Sequence, residues 1–147
     1  MNDDPKIREY PLSEKQPKRL KTPSGLPFGE ITLDAVLEGE VKMEDLRVTA
    51  EALEWQAQIA EAAGRPQLAE NFRRAAELTA VPDDQILRVY DALRPGRASE
   101  SELLSLADKL EKGYQAGRCA RFVREAAAVY FGAKAPRPSR HGTGGNL

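Results

Sequence analysis

Prolines divide this chain before any other signal does. Five of the ten, Pro5, Pro11, Pro17, Pro23 and Pro27, fall in residues 1–30 at intervals of four to six. Proline has no backbone N–H and its ring clashes with the preceding helical turn, so no helix can grow through that spacing. Residues 1–30 therefore read as an extended arm. The arm still carries Ile7, Tyr10, Leu12, Leu20, Leu26 and Phe28. A free linker has no use for these side chains, whereas an arm lying along a surface does. Residues 31–131 hold only Pro66, Pro82 and Pro95, each at a plausible helix boundary. Residues 132–147 hold four of the eleven glycines with Pro136 and Pro138, and read as a disordered, flexible tail.

The periodicity of the central segment is helical throughout. Thr32 is placed to cap a short helix carrying Leu33, Val36 and Leu37 on one face and ending near Gly39. Thr49 caps the next, with Leu53, Ala57 and Ala60 at helical spacing up to Gly64. Pro66 suits the first turn of a third helix, striped by Leu68, Phe72, Ala75, Ala76 and Thr79. Pro82 opens a fourth with Ile86, Val89, Tyr90 and Leu93 on its apolar face, and Pro95 stops it. Ser99 with Glu102 forms a capping box ahead of Leu103, Leu106, Ala107 and Leu110. The last helix carries Cys119, Phe122, Val123, Ala126, Val129 and Tyr130. No alternating β-branched run appears between turns, so no strand is expected. The predicted fold class is all-α: a small helical domain at 31–131, an extended N-terminal arm and a disordered C-terminal tail.

The residue inventory excludes several kinds of chemistry. The chain of 147 residues has one Cys and one His. One cysteine forms no internal disulfide, and one Cys with one His cannot complete a tetrahedral zinc site. A Ser-His or Cys-His nucleophile would depend on His141, which lies among Gly and Pro with nothing to position it. No run approaches the ~18–20 apolar residues of a membrane span. The first ten residues lack the basic start and apolar run of a secretory signal. A cytoplasmic chain without a membrane partner is the reading.

Candidate sites each carry a structural alternative. Asp83 and Asp84 could be a metal or acid/base pair. Neighbours on a helix diverge by about 100°, however, and a helix N-terminus favours negative charge on its own account. Arg118, Arg121 and Arg124 form a basic ridge at i, i+3, i+6, the pattern phosphate contacts need. Against a nucleic-acid role, Glu125 follows Arg121 by four residues, and Arg73 and Arg74 are matched by Glu77 and Glu70. Residues 31–131 also carry 18 acidic against 13 basic side chains. A solvated face, or an interface to an acidic partner, is the alternative. Trp55 and Tyr90 could line a ligand pocket, but aromatics at helical spacing are more often core or interface anchors. Cys119 falls on an apolar face, as a buried, inert thiol does. Residues 142–145 (GTGG) lack the lysine and following helix of a phosphate loop.

Residues 71–97, NFRRAAELTAVPDDQILRVYDALRPGR, resemble the central signature of the small (gamma) subunit of coenzyme B12-dependent diol and glycerol dehydratases. The resemblance continues in order on both sides. Upstream are Tyr10-Pro11-Leu12, ITLDAVLEGEV at 31–41, Asp45-Leu46-Arg47 and QAQIA at 56–60. Downstream are SELLSLADKLE at 101–111 and FVREAAAVY at 122–130. It covers roughly residues 10–131.

The resemblance implies a role as a non-catalytic, structural subunit. These enzymes are hydro-lyases assembled from large, medium and small subunits, usually as a dimer of the three-chain unit. The large subunit is a (β/α)8 barrel holding substrate and a metal ion, and adenosylcobalamin lies between the large and medium subunits. An adenosyl radical takes a hydrogen from C1 of the diol, the neighbouring hydroxyl migrates, and loss of water yields an aldehyde. The cofactor carries that chemistry while protein positions and protects it. The resemblance assigns this chain no catalytic, cofactor-binding or metal-binding residue. Tyr10, Leu12, Trp55, Phe72, Tyr90, Arg94, Phe122 and Tyr130 are expected as interface or core anchors. The partners expected are the large and medium subunits, with no nucleic acid. The alternative reading is a helical adaptor or nucleic-acid-binding module using the Arg118, Arg121 and Arg124 ridge. Some family members carry a longer N-terminal extension that directs the enzyme into a bacterial microcompartment. Only nine residues precede Tyr10 here, and Pro5 interrupts them, so packaging is not expected to run through this chain. Gly113 and Gly117 fall in a helical region and mark a break or a close backbone contact.

Overall fold

A computed structural model describes residues 4–132. The tail expectation, with His141 and the GTGG run, lies outside the described residues.

The arm contains only short turns: a 3-10 turn at Pro5–Glu9, the one-turn helix α1 at Leu12–Lys15 and a 3-10 turn at Phe28–Glu30. None exceeds five residues. Proline blocks the interior of a helix but suits its first turn, where the N–H has no partner. Pro5 accordingly starts a turn that Asp4 caps by accepting from the Lys6 N–H at 2.9 Å. As expected, no helix grows through the arm; it holds only single turns, each with a proline at its first residue or N-cap.

Helix α2, Leu33–Leu37, starts where Thr32 Oγ1 accepts from the Ala35 N–H at 3.1 Å, and it gives way at Gly39 with φ +77°. A 3-10 turn, Met43–Leu46, follows. Five longer helices complete the molecule: α3 Ala50–Ala62, α4 Pro66–Leu78, α5 Asp83–Ala92, α6 Glu100–Tyr114 and α7 Gly117–Phe131. No strand occurs among the described residues; only Lys21 and Pro27 form an isolated bridge. Thr49 caps α3, Pro66 opens α4, and Ser99 with Glu102 forms the capping box of α6, as the sequence predicts.

Helices α3 and α4 form one hairpin and α6 and α7 another, with α5 against α6 and α4 against α7. The main core belongs to the second hairpin. Val81, Leu103, Ala107, Leu110, Ala116, Cys119, Ala120, Val123 and Ala127 are buried together, with Ile86, Val89 and Leu93 of α5 packed on them. Alanines at 107, 120 and 127 let the helix axes approach closely.

Helix α3 is enclosed on two sides. Ala57 and Ala60 meet Ala69 and Phe72 of α4, while Trp55 and Ile59 meet Leu12 and Leu20 of the arm. The stripe predicted on α4 is rotated slightly: Ala69 is fully buried and Leu68 is exposed.

The break near the two glycines falls between them. Gln115 adopts the left-handed conformation, φ +56°, and the Ala116 N–H donates to Leu110 O at 3.0 Å. Gly113 lies inside α6, and Gly117 is the first residue of α7. A Cβ at Gly113 would meet nothing nearer than Lys109 Cγ at 4.0 Å, and at Gly117 nothing within 4 Å. The close-contact alternative is thereby excluded.

Candidate partner-binding surface

The eight predicted anchors separate into two groups. Leu12 and Trp55 are buried, and Phe72 is half-buried against the α3–α4 alanines. These three serve the chain's own core. Tyr10, Tyr90, Arg94, Phe122 and Tyr130 are exposed, Tyr90 at 75%.

Trp55 is the point where the arm is fastened. Its indole Nε1–H donates to Glu9 Oε2 at 3.2 Å, and the Arg19 guanidinium lies over the ring, 3.1 Å from its centroid. Glu9 and Arg19 stand 4.0 Å apart, so one aromatic residue collects an anion at its polar edge and a cation on its π face. The surface along which the arm lies is thus the chain's own α3. A second fastening is Asp45, a buried carboxylate that accepts from Ser24 Oγ and, at 2.9 Å, from the Lys42 N–H. The Ser24 hydroxyl and then the Lys42 N–H hold the Asp45 carboxyl below its ordinary range.

The arginine ridge of α7 is neutralised from within. Arg118 Nη1 donates to Glu70 at 2.6 and 2.8 Å, and Arg121 lies 3.7 Å from the same carboxylate. Arg124 donates to Asp108 at 2.7 Å and Glu111 at 2.6 Å. The Arg118 hydrogen bond holds the Glu70 carboxyl below its usual range. Phosphate contacts require cations available to an outside anion. All three arginines already face carboxylates of α4 or α6, and the nucleic-acid reading loses its basis.

Of the carboxylates expected to pair within α4, Glu70 lies 3.7 Å from Arg73 rather than pairing with Arg74, and Glu77 is redirected. Glu77, four residues after Arg73, caps another helix: its oxygens accept from the Arg118 N–H at 3.0 Å and the Cys119 N–H at 2.9 Å. Helix α7 has Ala116 at its N-cap, which offers no side-chain acceptor, so α4 supplies one. Arg73 reaches across to α3, to Glu61 at 2.7 Å and Glu54 at 3.4 Å. Arg74 sits over Phe122, 4.9 Å from its centroid.

An apolar cavity of about 190 Å³ opens between α5 and α7, lined by Leu78, Ile86, Val89, Tyr90, Leu93 and Phe122 among others. Its rim is partly engaged, since the Tyr130 hydroxyl donates to Leu93 O at 2.8 Å. Arg94 stands outside it, 3.3 Å from Asp91 in an exposed pair at the end of α5.

The acidic pair predicted on α5 is divided between separate partners. Asp83 faces Arg47 at 3.4 Å, and Asp84 accepts from Gln85. Among the described residues no group of three or more His, Cys, Asp or Glu is placed to hold a metal ion. Cys119 is buried, its thiol pushed up to about 12 by burial and then by the Glu77 carboxylate. These residues do not fit a divalent ion or the cobalt of a corrin. Among the described residues no helix is long and apolar enough to cross a membrane.

Large apolar side chains, Leu87, Tyr90 and Val129 among them, are left exposed on the described surface. The dehydratase small subunit family matches residues 6–135, and the chain belongs to that family. It is 54% identical over 125 residues to the propanediol dehydratase small subunit of Citrobacter freundii, covering 85% of this chain and 73% of the relative. The propanediol dehydratase small subunit of Salmonella typhimurium is also 54% identical over 125 residues, covering 85% and 72%.

The sequence reading missed one surface altogether. Leu33, Leu37 and Met43 are 73%, 76% and 78% exposed, and Val36, Leu46 and Val48 are exposed beside them in the chain. The available signal was the length of α2. Five residues with three large apolar side chains cannot bury them without a neighbouring element.

Proposed function

We propose that this chain is the structural small subunit of a propanediol dehydratase, acting with a large and a medium subunit. The observation that carries the reading is 54% identity, over 85% of the chain, to two propanediol dehydratase small subunits. The all-helical body, with the arginines of α7 paired to its own carboxylates and several large apolar side chains left exposed outside the core, supports a scaffolding role. In this reading the complex is a hydro-lyase that converts propane-1,2-diol, or glycerol, to the aldehyde and water. Adenosylcobalamin, when bound, supplies radical chemistry, and the large and medium subunits hold it. The metal ion belongs to the large subunit, and the assembly is a dimer of heterotrimers.

Co-expression with candidate large and medium subunits tests this, followed by an aldehyde assay with propane-1,2-diol and adenosylcobalamin. The three chains are expected to co-purify and to be active, and this chain alone to be inactive. Large and medium subunits that purify free of it, and are fully active without it, overturn the reading.

A further inference from the structure

The apolar cavity beside α5 and α7 is built by four helices of this chain. Its lining includes Arg74 and Leu78 of α4, Ile86 and Val89 of α5, Leu110 of α6 and Val123 of α7. Leu110 and Val123 are almost fully buried and close its inner end, whereas Tyr90 and Phe122 are exposed and flank its mouth.

Size and polarity restrict what can enter. The volume, about 190 Å³, exceeds the roughly 150 Å³ of an apolar protein cavity that takes up benzene. One ring with a short alkyl extension fits that space. The Cys119 thiol, which also lines the cavity, is committed to Arg74 O at 3.4 Å. A water molecule there needs about two to four polar partners and finds few in this lining, so an apolar body is favoured. Tyr90 and Phe122 offer ring faces and edges to an aromatic occupant.

Charge sets the other end of the ligand. Arg74 is the one charged side chain among the described residues of the lining. It is half-buried, its guanidinium lies 4.9 Å from the centroid of Phe122, and it donates to Asn71 Oδ1. It has no ion pair among the described residues. Glu77, which stands beside Cys119, is outside the lining, and its oxygens are taken up by the Arg118 and Cys119 N–H groups. A guanidinium over an aromatic ring, with N–H donors to spare, holds a carboxylate by charge-assisted hydrogen bonds.

We propose that this cavity is a binding site for a small monocarboxylic acid with an apolar, ring-sized body. The body enters between α5 and α7, and the carboxylate stays at the mouth on Arg74. The site is complete within this chain and does not rest on the subunit reading.

The probe is 3-phenylpropanoate, titrated calorimetrically into the full-length chain, with 3-phenylpropan-1-ol as its neutral analogue and 3-phenylpropylamine as its cationic one. The acid is expected to bind about tenfold tighter than the alcohol, and the amine more weakly than either. Arg74→Met is expected to bring the acid down to the affinity of the alcohol. Val89→Phe, which fills the cavity, is expected to remove both. Circular dichroism and Tm check that each variant is folded. Nuclear Overhauser contacts from the probe ring to the methyl groups of Ile86 and Val123 locate the site in the parent without any substitution. Absence of saturable binding by the parent, equal affinity for acid and alcohol, or contacts to methyl groups elsewhere overturns the proposal. In the co-expressed complex the acid is expected to bind as well as to the free chain. Loss of binding there makes the cavity a seat for a side chain of another subunit, and the ligand assignment falls. Co-purification of the subunits tests the subunit reading separately, and none of these outcomes alters it.

Discussion

Cys119 is fixed by two residues that the chain brings from elsewhere. Its Sγ donates to Arg74 O at 3.4 Å and its N–H donates to Glu77, and it is buried in one cluster with Ala120 and Val123 of its own helix. Burial disfavours the thiolate, and the Glu77 carboxylate adds repulsion, so the thiol titrates at about 12 rather than at 9.0. The folded pKa lies above the unfolded one. The resulting stability is complete below pH 9 and is lost as pH rises toward 12. The parent is therefore expected to lose more stability than Cys119→Ala over that interval, measured by urea unfolding at successive pH values. Alkylation of the folded chain at pH 8 is expected to be at least about a hundredfold slower than in urea. That Cys119 would be buried was legible from its place on an apolar helical face. The identity of its neighbours was not, because Arg74 and Glu77 lie 45 and 42 residues away.

Among the elements, caps made locally were readable and caps made at a distance were not. Thr32, Thr49 and Ser99 each accept from an N–H three residues on, a relation written in consecutive letters. Helix α7 has no such residue, and Glu77 of α4 serves it from 41 residues upstream. Charge spacing within one helix suggested Arg73 as the partner of Glu77. The N–H groups at the start of α7 are unsatisfied without it, whereas an Arg73 pair on the helix surface contributes only a few tenths of a kcal/mol. Glu77→Ala is expected to lower stability by about 1–2 kcal/mol, and Glu125→Ala, on the exposed side of α7, by less than about 0.5 kcal/mol. Equilibrium urea denaturation of the two variants measures the difference. Exposure of α2 was beyond sequence reading for a related reason. Apolar periodicity shows that side chains share a face, but it does not say whether that face is covered by the same chain or by another.

For the molecule as a whole, carboxylates tie together elements of which several also pack through apolar side chains. Glu70 links α4 to α7, Glu61 links α3 to α4 through Arg73, Asp108 links α6 to α7, and Asp45 links the arm turn to the 3-10 turn. Each of these four is held below its ordinary range, chiefly by a hydrogen bond from Arg118, Arg73, Arg124 and Ser24 respectively. Lowered folded pKa values give stability that is present above the unfolded carboxylate range and lost as pH falls through the folded values. Tm is expected to be nearly flat from pH 7 to about 5 and to fall steeply below about 4. Asp45→Asn is expected to shallow that acid slope, as a thermal melt series shows. The short-turned arm and the helical body were legible from proline spacing. The arm's own docking site was not, since Glu9 and Trp55 lie 46 residues apart. That separation has a consequence during synthesis. The arm leaves the ribosome before α3, and the ring it will rest on is made about 2 to 9 s later at ~5–20 residues per second. For that interval Leu12 and Leu20 have no native cover. The nascent arm must wait for α3 before its apolar side chains can be put away.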